Sequence, residues 1–171
     1  MINKKVENAL LKQVALEAYA SMSYLAMASW MDCKGYEGTA QFLYAQSEEE
    51  RGHMLKIFHY INDAGGTAIV PELKKPKESY DSYIACFDQI LIQEIEVSNA
   101  IHSLVDLSIN EKDHTTNNFL QWYVSEQLEE ESQFRTIIDK IKILGKDGSG
   151  LYLLDKDLGT MATAVAVLPA E

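Results

Sequence analysis

Over four long stretches of this 171-residue chain, apolar residues recur three and four places apart, the period of a helix with one buried face. The first face carries Val6, Leu10, Val14, Glu17, Tyr24 and Met31, and the second Phe42, Gln46, Glu50, His53, Ile57 and Tyr60. The third reads Phe87, Leu91, Glu94, Val97, Ile101 and Leu104, and the fourth Leu120, Tyr123, Gln127, Glu130, Phe134 and Ile141. Only Pro71, Pro76 and Pro169 interrupt a chain otherwise rich in good helix formers. The pattern predicts helices over about 4–34, 39–64, 80–109 and 114–144, stopped by Gly35, by Gly65 and Gly66, by the turn at 110–113 and by Gly145. The mostly apolar segment of about 148–171 predicts a short fifth helix and a tail. The expected fold is all-α, with one domain over residues 1–171 and a four-helix bundle over about 4–144.

The segment between the second and third helices sets the topology. Residues 67–79 are non-periodic and contain two prolines. About 14 extended residues reach roughly 46 Å, while a helix of about 27 residues is only about 40 Å long. The linker can therefore cross the whole bundle. Helices two and three then run parallel, as two antiparallel hairpins joined by one long crossover.

Each apolar face is broken near its middle by polar residues, and these breaks share one depth. Counted from the hairpin turns near Tyr36 and Lys112, Glu17 lies 19 residues away, His53 17, and Glu94 and Glu130 18 each. At 1.5 Å per residue all sit about 27 Å from the turns. The spacing also repeats. Glu17 to Glu50 and Glu94 to Gln127 are both 33 residues, Glu17 to His53 and Glu94 to Glu130 are both 36, and the hairpins are offset by 77. Such a register suits a pseudo-symmetric two-metal site, with one carboxylate from the first helix of each hairpin and an i, i+3 pair from the second. Four carboxylates balance two divalent cations, with His53 and Gln127 as neutral ligands. Without metal, the same layer costs several kcal/mol per group unless it is protonated or hydrated. Oxygen ligands with one imidazole favour iron or manganese over structural zinc.

Charge narrows the partners further. With 15 basic and 26 acidic residues the net charge is −11, which repels nucleic acid and attracts cations. No apolar run approaches the roughly 20 residues of a membrane span, and Met1-Ile2-Asn3-Lys4-Lys5 lacks the apolar core of a signal peptide, so the cytoplasm is the expected location. Cys33 and Cys86 lack the spacing of a zinc or redox motif and are expected to be buried or half-buried.

Through Glu17, Glu50-Arg51-Gly52-His53, Glu94 and Gln127-Leu128-Glu129-Glu130, the chain resembles the non-haem bacterial ferritins over nearly its whole length. The resemblance implies a ferritin-like four-helix bundle with one long crossover. It implies that Glu17, Glu50 and His53 hold one iron, that Glu50, Glu94 and Glu130 hold another with Glu50 bridging, and that Gln127 sits beside the pair. It further implies oxidation of Fe(II) by dioxygen or hydrogen peroxide and storage of ferric mineral in a shell of 24 subunits. Bacterioferritins and rubrerythrins repeat Glu-x-x-His in the fourth helix, where this chain has Gln127 and Glu130, and Arg51 replaces the haem-ligating methionine of bacterioferritins, so no haem is expected.

Two rivals remain: a di-iron or di-manganese peroxidase or oxygenase without mineral storage, and a DNA-protecting mini-ferritin, which this chain's lack of a basic arm opposes. Glu49, Glu126 and Glu129 flank the ligands and form either a third iron site, as non-haem ferritins can, or a solvated acidic face. Tyr24 is read as a residue that hydrogen-bonds a ligand or donates an electron. Trp122 is expected to serve packing or interface area, His59, His102 and His114 the surface, and Met22, Met27 and Met31 the core or an interface.

Overall fold

The computed structural model describes residues 2–145 and 147–165. Its helices are α1 (Lys4–Cys33), α2 (Glu37–Asp63), α3 (Tyr83–Asn110), α4 (His114–Leu144) and α5 (Gly148–Val165), with no strand among the described residues. Gly35 and Gly65 follow α1 and α2 at φ 85° and 80°, a conformation that side chains with a Cβ resist, so each helix stops where its glycine stands. Helix α3 begins three residues later than the pattern predicts. Ser82, extended at φ −161°, accepts the Ala85 N–H at 3.2 Å and so fixes the N-terminus, while Tyr80 remains in the linker and turns into the core. Helix α5, at 18 residues, is shorter than the four helices of the bundle, as expected; residues 166–171 of the expected tail lie outside the described residues. No helix among the described residues is long and apolar enough to cross a membrane.

Contacts at the helix ends fix the directions. Ile2 N–H donates to Ala64 O at 2.8 Å, and Lys5 Nζ meets Glu111 at 2.7 Å, so the start of α1 lies beside the ends of both α2 and α3. Tyr60 OH and Thr116 Oγ1, 2.8 Å apart, bring the start of α4 to the same end. Helices α2 and α3 are therefore parallel, and the linker runs the length of the bundle.

The core is two apolar blocks. Toward one end pack Met27, Met31, Phe42, Phe87, Ile90 and Phe134; toward the other pack Val6, Leu10, Val14, Ile57, Ile101 and Leu120. Each such side chain, fully buried, contributes about 1.5–3 kcal/mol. Cys86 belongs to the first block, whereas Cys33 is exposed at the end of α1, contrary to its expected burial.

Helix α5 does more than cover one end. Tyr36, at the N-terminus of α2, makes no side-chain capping bond. The Asp155 carboxylate of α5 takes its place, accepting from Gly38 N–H (3.1 Å), Thr39 N–H (2.8 Å) and Thr39 Oγ1 (2.7 Å). The approach needs glycine, because a Cβ on Gly38 would fall 2.0 Å from Asp155 O. Replacing Asp155 with alanine is expected to cost about 1–2 kcal/mol, the usual effect of a lost cap. Thermal melts at matched protein concentration should rank parent above Asp155→Asn above Asp155→Ala, and equal melts would show the contact to be idle.

Candidate metal centre

Between the two apolar blocks lie Glu17, Glu50, His53, Glu94, Gln127 and Glu130, each at most 5% exposed. They arrive there because every helix of the bundle places its polar break at the same height. Glu17, Glu50 and His53 each present a ligand atom, all within 4.8 Å of one another. Glu50 Oε2 and His53 Nδ1 stand 3.5 Å apart without completing a hydrogen bond. Glu17 Oε2 and Glu130 Oε2 are likewise buried and unpartnered. Lone pairs buried in this way cost about 1–3 kcal/mol each, and a cation is the group that would satisfy several at once.

Glu94 is held differently. Tyr24 OH donates to its Oε1 at 2.6 Å, and Gln127 Nε2 reaches its Oε2 and its backbone O, both at 3.2 Å. Tyr24 therefore sits on a carboxylate, not in the layer's open middle, and Gln127 presents its nitrogen to Glu94. Glu94 and Glu130 share the layer with Glu50 but fall outside its tight three-atom cluster with Glu17 and His53.

Burial pushes the Glu17 and Glu50 carboxyls well above the usual carboxylate range, with repulsion from neighbouring carboxylates adding to it. Burial raises Glu94 too, against the opposing hydrogen bonds of Tyr24 and Gln127. Glu130, buried and facing the charges of Glu94, Glu49, Glu126 and Glu129, is pushed up to about 9. Burial and the charge of Glu94 likewise hold the Tyr24 phenol protonated.

A second cluster lies on the flank, where Glu49, His53 and Glu126 bring ligand atoms within 4.8 Å. Gln46 Nε2 fixes Glu49 through a 2.5 Å bond to Oε2. The two glutamates meet as their shared 77-residue offset suggests, and His53 belongs to both clusters. Glu129 is exposed and outside the flank cluster, reaching the layer only through its charge on Glu130.

Pattern alone overlooks several neighbours. Gln13 Nε2 donates to Glu17 Oε1 at 2.9 Å; a buried glutamine one turn before a buried glutamate was the available signal. Ser98 Oγ donates to Glu131 at 2.6 Å and lies 3.5 Å from Gln127 Nε2. Trp122 packs edge-on to His53, ring centroids 5.3 Å apart, with Lys56 Nζ 3.5 Å over its own ring, so its packing role is exercised at the rim of the layer. His59, His102 and His114 are exposed and apart from it.

Comparison with known proteins gives the arrangement its lineage. The chain is 42% identical over 163 residues to a probable bacterial non-heme ferritin-like protein of Haemophilus influenzae, covering 95% of this chain and 99% of that one. It is 39% identical over 162 residues to a bacterial non-heme ferritin of Campylobacter jejuni, covering 95% and 97%. An open pore ferritin from Archaeoglobus fulgidus superposes with a TM-score of 0.92 at 37% identity, over 93% of this chain and 98% of the other. The family model described as a ferritin-like domain matches residues 7–144, from the first turn of α1 to the last residue of α4. With the bundle, its crossover and the sequence in accord over that whole span, the chain belongs to the ferritin family.

Proposed function

We propose that this protein stores iron: Fe(II) is its substrate, oxidised in the buried layer and kept as Fe(III) mineral within a hollow homo-oligomer of about two dozen chains in the cytoplasm. The observation that carries the reading is the row of unpartnered ligand atoms on Glu17, Glu50, His53 and Glu130 inside a well-packed core. Glu17, Glu50 and His53 would hold one Fe(II), and Glu50, Glu94 and Glu130 a second. The four carboxylates match the charge of two Fe(II) ions. Each Fe(II) gives up one electron; hydrogen peroxide accepts both and leaves as two hydroxides, while dioxygen accepts both with two protons and leaves as hydrogen peroxide. Tyr24 and Gln127 orient Glu94, and the apolar blocks on either side keep bulk water from the pair. The membership of the family and its relatives' names support iron as the cargo.

Glu49 and Glu126, with His53, would bind a third Fe(II) on the way to storage. Anaerobic Fe(II) titration followed by oxidant tests both levels of the reading. The parent is expected to bind at least two Fe(II) per subunit and to retain Fe(III) with the assembly after oxidation. Oxidation without retention would point to a peroxidase or oxygenase instead. Replacing Glu49 and Glu126 together should lower the number bound and the Fe(II) consumed per dioxygen without abolishing oxidation. Unchanged counts would reduce the flank to an acidic face.

A further inference from the structure

A cavity of about 230 Å³ lies in the seam between α1 and α3, beneath Lys77 and Tyr80 of the linker. Leu16 and Ser23 line it from α1, and Gln93 and Val97 from α3. Leu16, Ser23 and Gln93 immediately precede Glu17, Tyr24 and Glu94 in the chain. Neighbours on a helix are rotated by about 100°, so the cavity and the carboxylate layer occupy adjoining sectors of the same two helices.

Gln93 lines the cavity and is the residue before Glu94. It is only 7% exposed, and its Nε2 completes no hydrogen bond. The amide nevertheless lies near enough to Glu94 to favour that carboxylate's ionised form. An apolar residue of similar size would fill the position without the cost of a buried, unsatisfied donor. An amide here makes sense if a hydrogen-bonding solute visits it. The cavity is several times the roughly 30 Å³ share of one water molecule. Lys77 and Glu96 put opposite charges on its lining, so it favours neither cations nor anions.

We propose that this cavity admits small neutral hydrogen-bonding solutes, hydrogen peroxide and water, to Glu94, with the Gln93 amide handing them on to that carboxylate. The inference rests on the reading of Glu94 as part of an iron-oxidising layer. Dioxygen, apolar and without hydrogen bonds to exchange, does not depend on this route.

The test compares parent, Gln93→Leu and Gln93→Ala assemblies loaded anaerobically with Fe(II) and mixed with hydrogen peroxide or with dioxygen. Gln93→Leu should slow the peroxide reaction about fivefold, the effect of one hydrogen bond lost on the path. Gln93→Ala, which loses the same bond but leaves room for a water in place of the amide, should slow it less than Gln93→Leu does, and the dioxygen rate and Fe(II) stoichiometry should stay within about twofold of the parent in both. Peroxide rates that match the parent in both variants overturn the proposal. A parent that binds Fe(II) but oxidises it with neither reagent overturns the site assignment as well. Access is read separately from chemistry by placing Gln93→Cys in a Cys33→Ser background and treating the assembly with a small methanethiosulfonate. Cys86 is buried, its thiol pushed up to about 12, and does not compete. One added label by intact mass supports the route, and an unlabelled assembly overturns it.

Discussion

Glu50→Ala and His53→Ala are each expected to slow Fe(II) oxidation by at least about tenfold while leaving the bundle folded, because each removes metal coordination without opening either apolar block. Glu50 lies at the junction of the layer, its orphaned Oε2 facing His53 and its charge pressing on Glu17. Its loss removes the carboxylate assigned to both irons. His53 serves the central and flank clusters together, so its loss should depress both oxidation and the count of Fe(II) bound. The fold should tolerate the change, since Tyr123 OH bonds the backbone carbonyl of His53 at 2.8 Å, not its ring. Stopped-flow absorbance after mixing with oxidant, with circular dichroism as the control for folding, gives the measurement. Variants that oxidise Fe(II) at the parent rate would remove these residues from the site.

The metal-free protein is expected to lose stability as pH rises from about 5 to 9. The carboxyls of Glu17, Glu50, Glu94 and Glu130 all titrate higher in the fold than in the unfolded chain, chiefly through burial, Glu130 at about 9. Between the unfolded and folded values the native state holds protons that the unfolded state has released, so its stability falls with rising pH. The contribution is intact below about pH 4.5 and fully lost once pH exceeds the folded value. Each retained proton costs about 1.4 kcal/mol per pH unit across that window. Anaerobic Fe(II) should displace the protons and restore stability, more at pH 8 than at pH 5.5. Glu130→Gln, which carries no charge to bury, should flatten the metal-free profile. Melting temperatures that rise steadily from pH 5 to 9 would contradict this account.

The helices, their turns and the parallel crossover were legible because they rest on periodicity, glycine positions and linker length, all local or one-dimensional properties. The polar layer was legible for a related reason: Glu17, Glu50, Glu94 and Glu130 interrupt faces that are otherwise apolar, at one depth. What escaped depends on the third dimension. That Gln127 turns its nitrogen to Glu94, or that Trp122 leans on His53 under Lys56, follows from rotamers and from helices far apart in sequence. Glu129 shares the acidic run of α4 with Glu126 but stands about 4.5 Å further along the helix, exposed and outside the group that Glu126 makes with Glu49 and His53. Cys33 was misplaced because a residue in the last turn of a helix escapes the packing that its period suggests.

The long-range cap on α2 also imposes an order in time. Asp155 follows Thr39 by 116 residues, so at a synthesis rate of about 5–20 residues per second the first amides of α2 wait roughly 6–23 s for their partner. Through that interval the Gly38 and Thr39 amides lack the acceptor that they have in the folded chain. A chain that stops short of Asp155 keeps bare Gly38 and Thr39 amides and an unfilled groove where Gly159 should lie. Helix α5 thus distinguishes a chain that has reached Asp155 from one truncated before it, at a point outside the carboxylate layer.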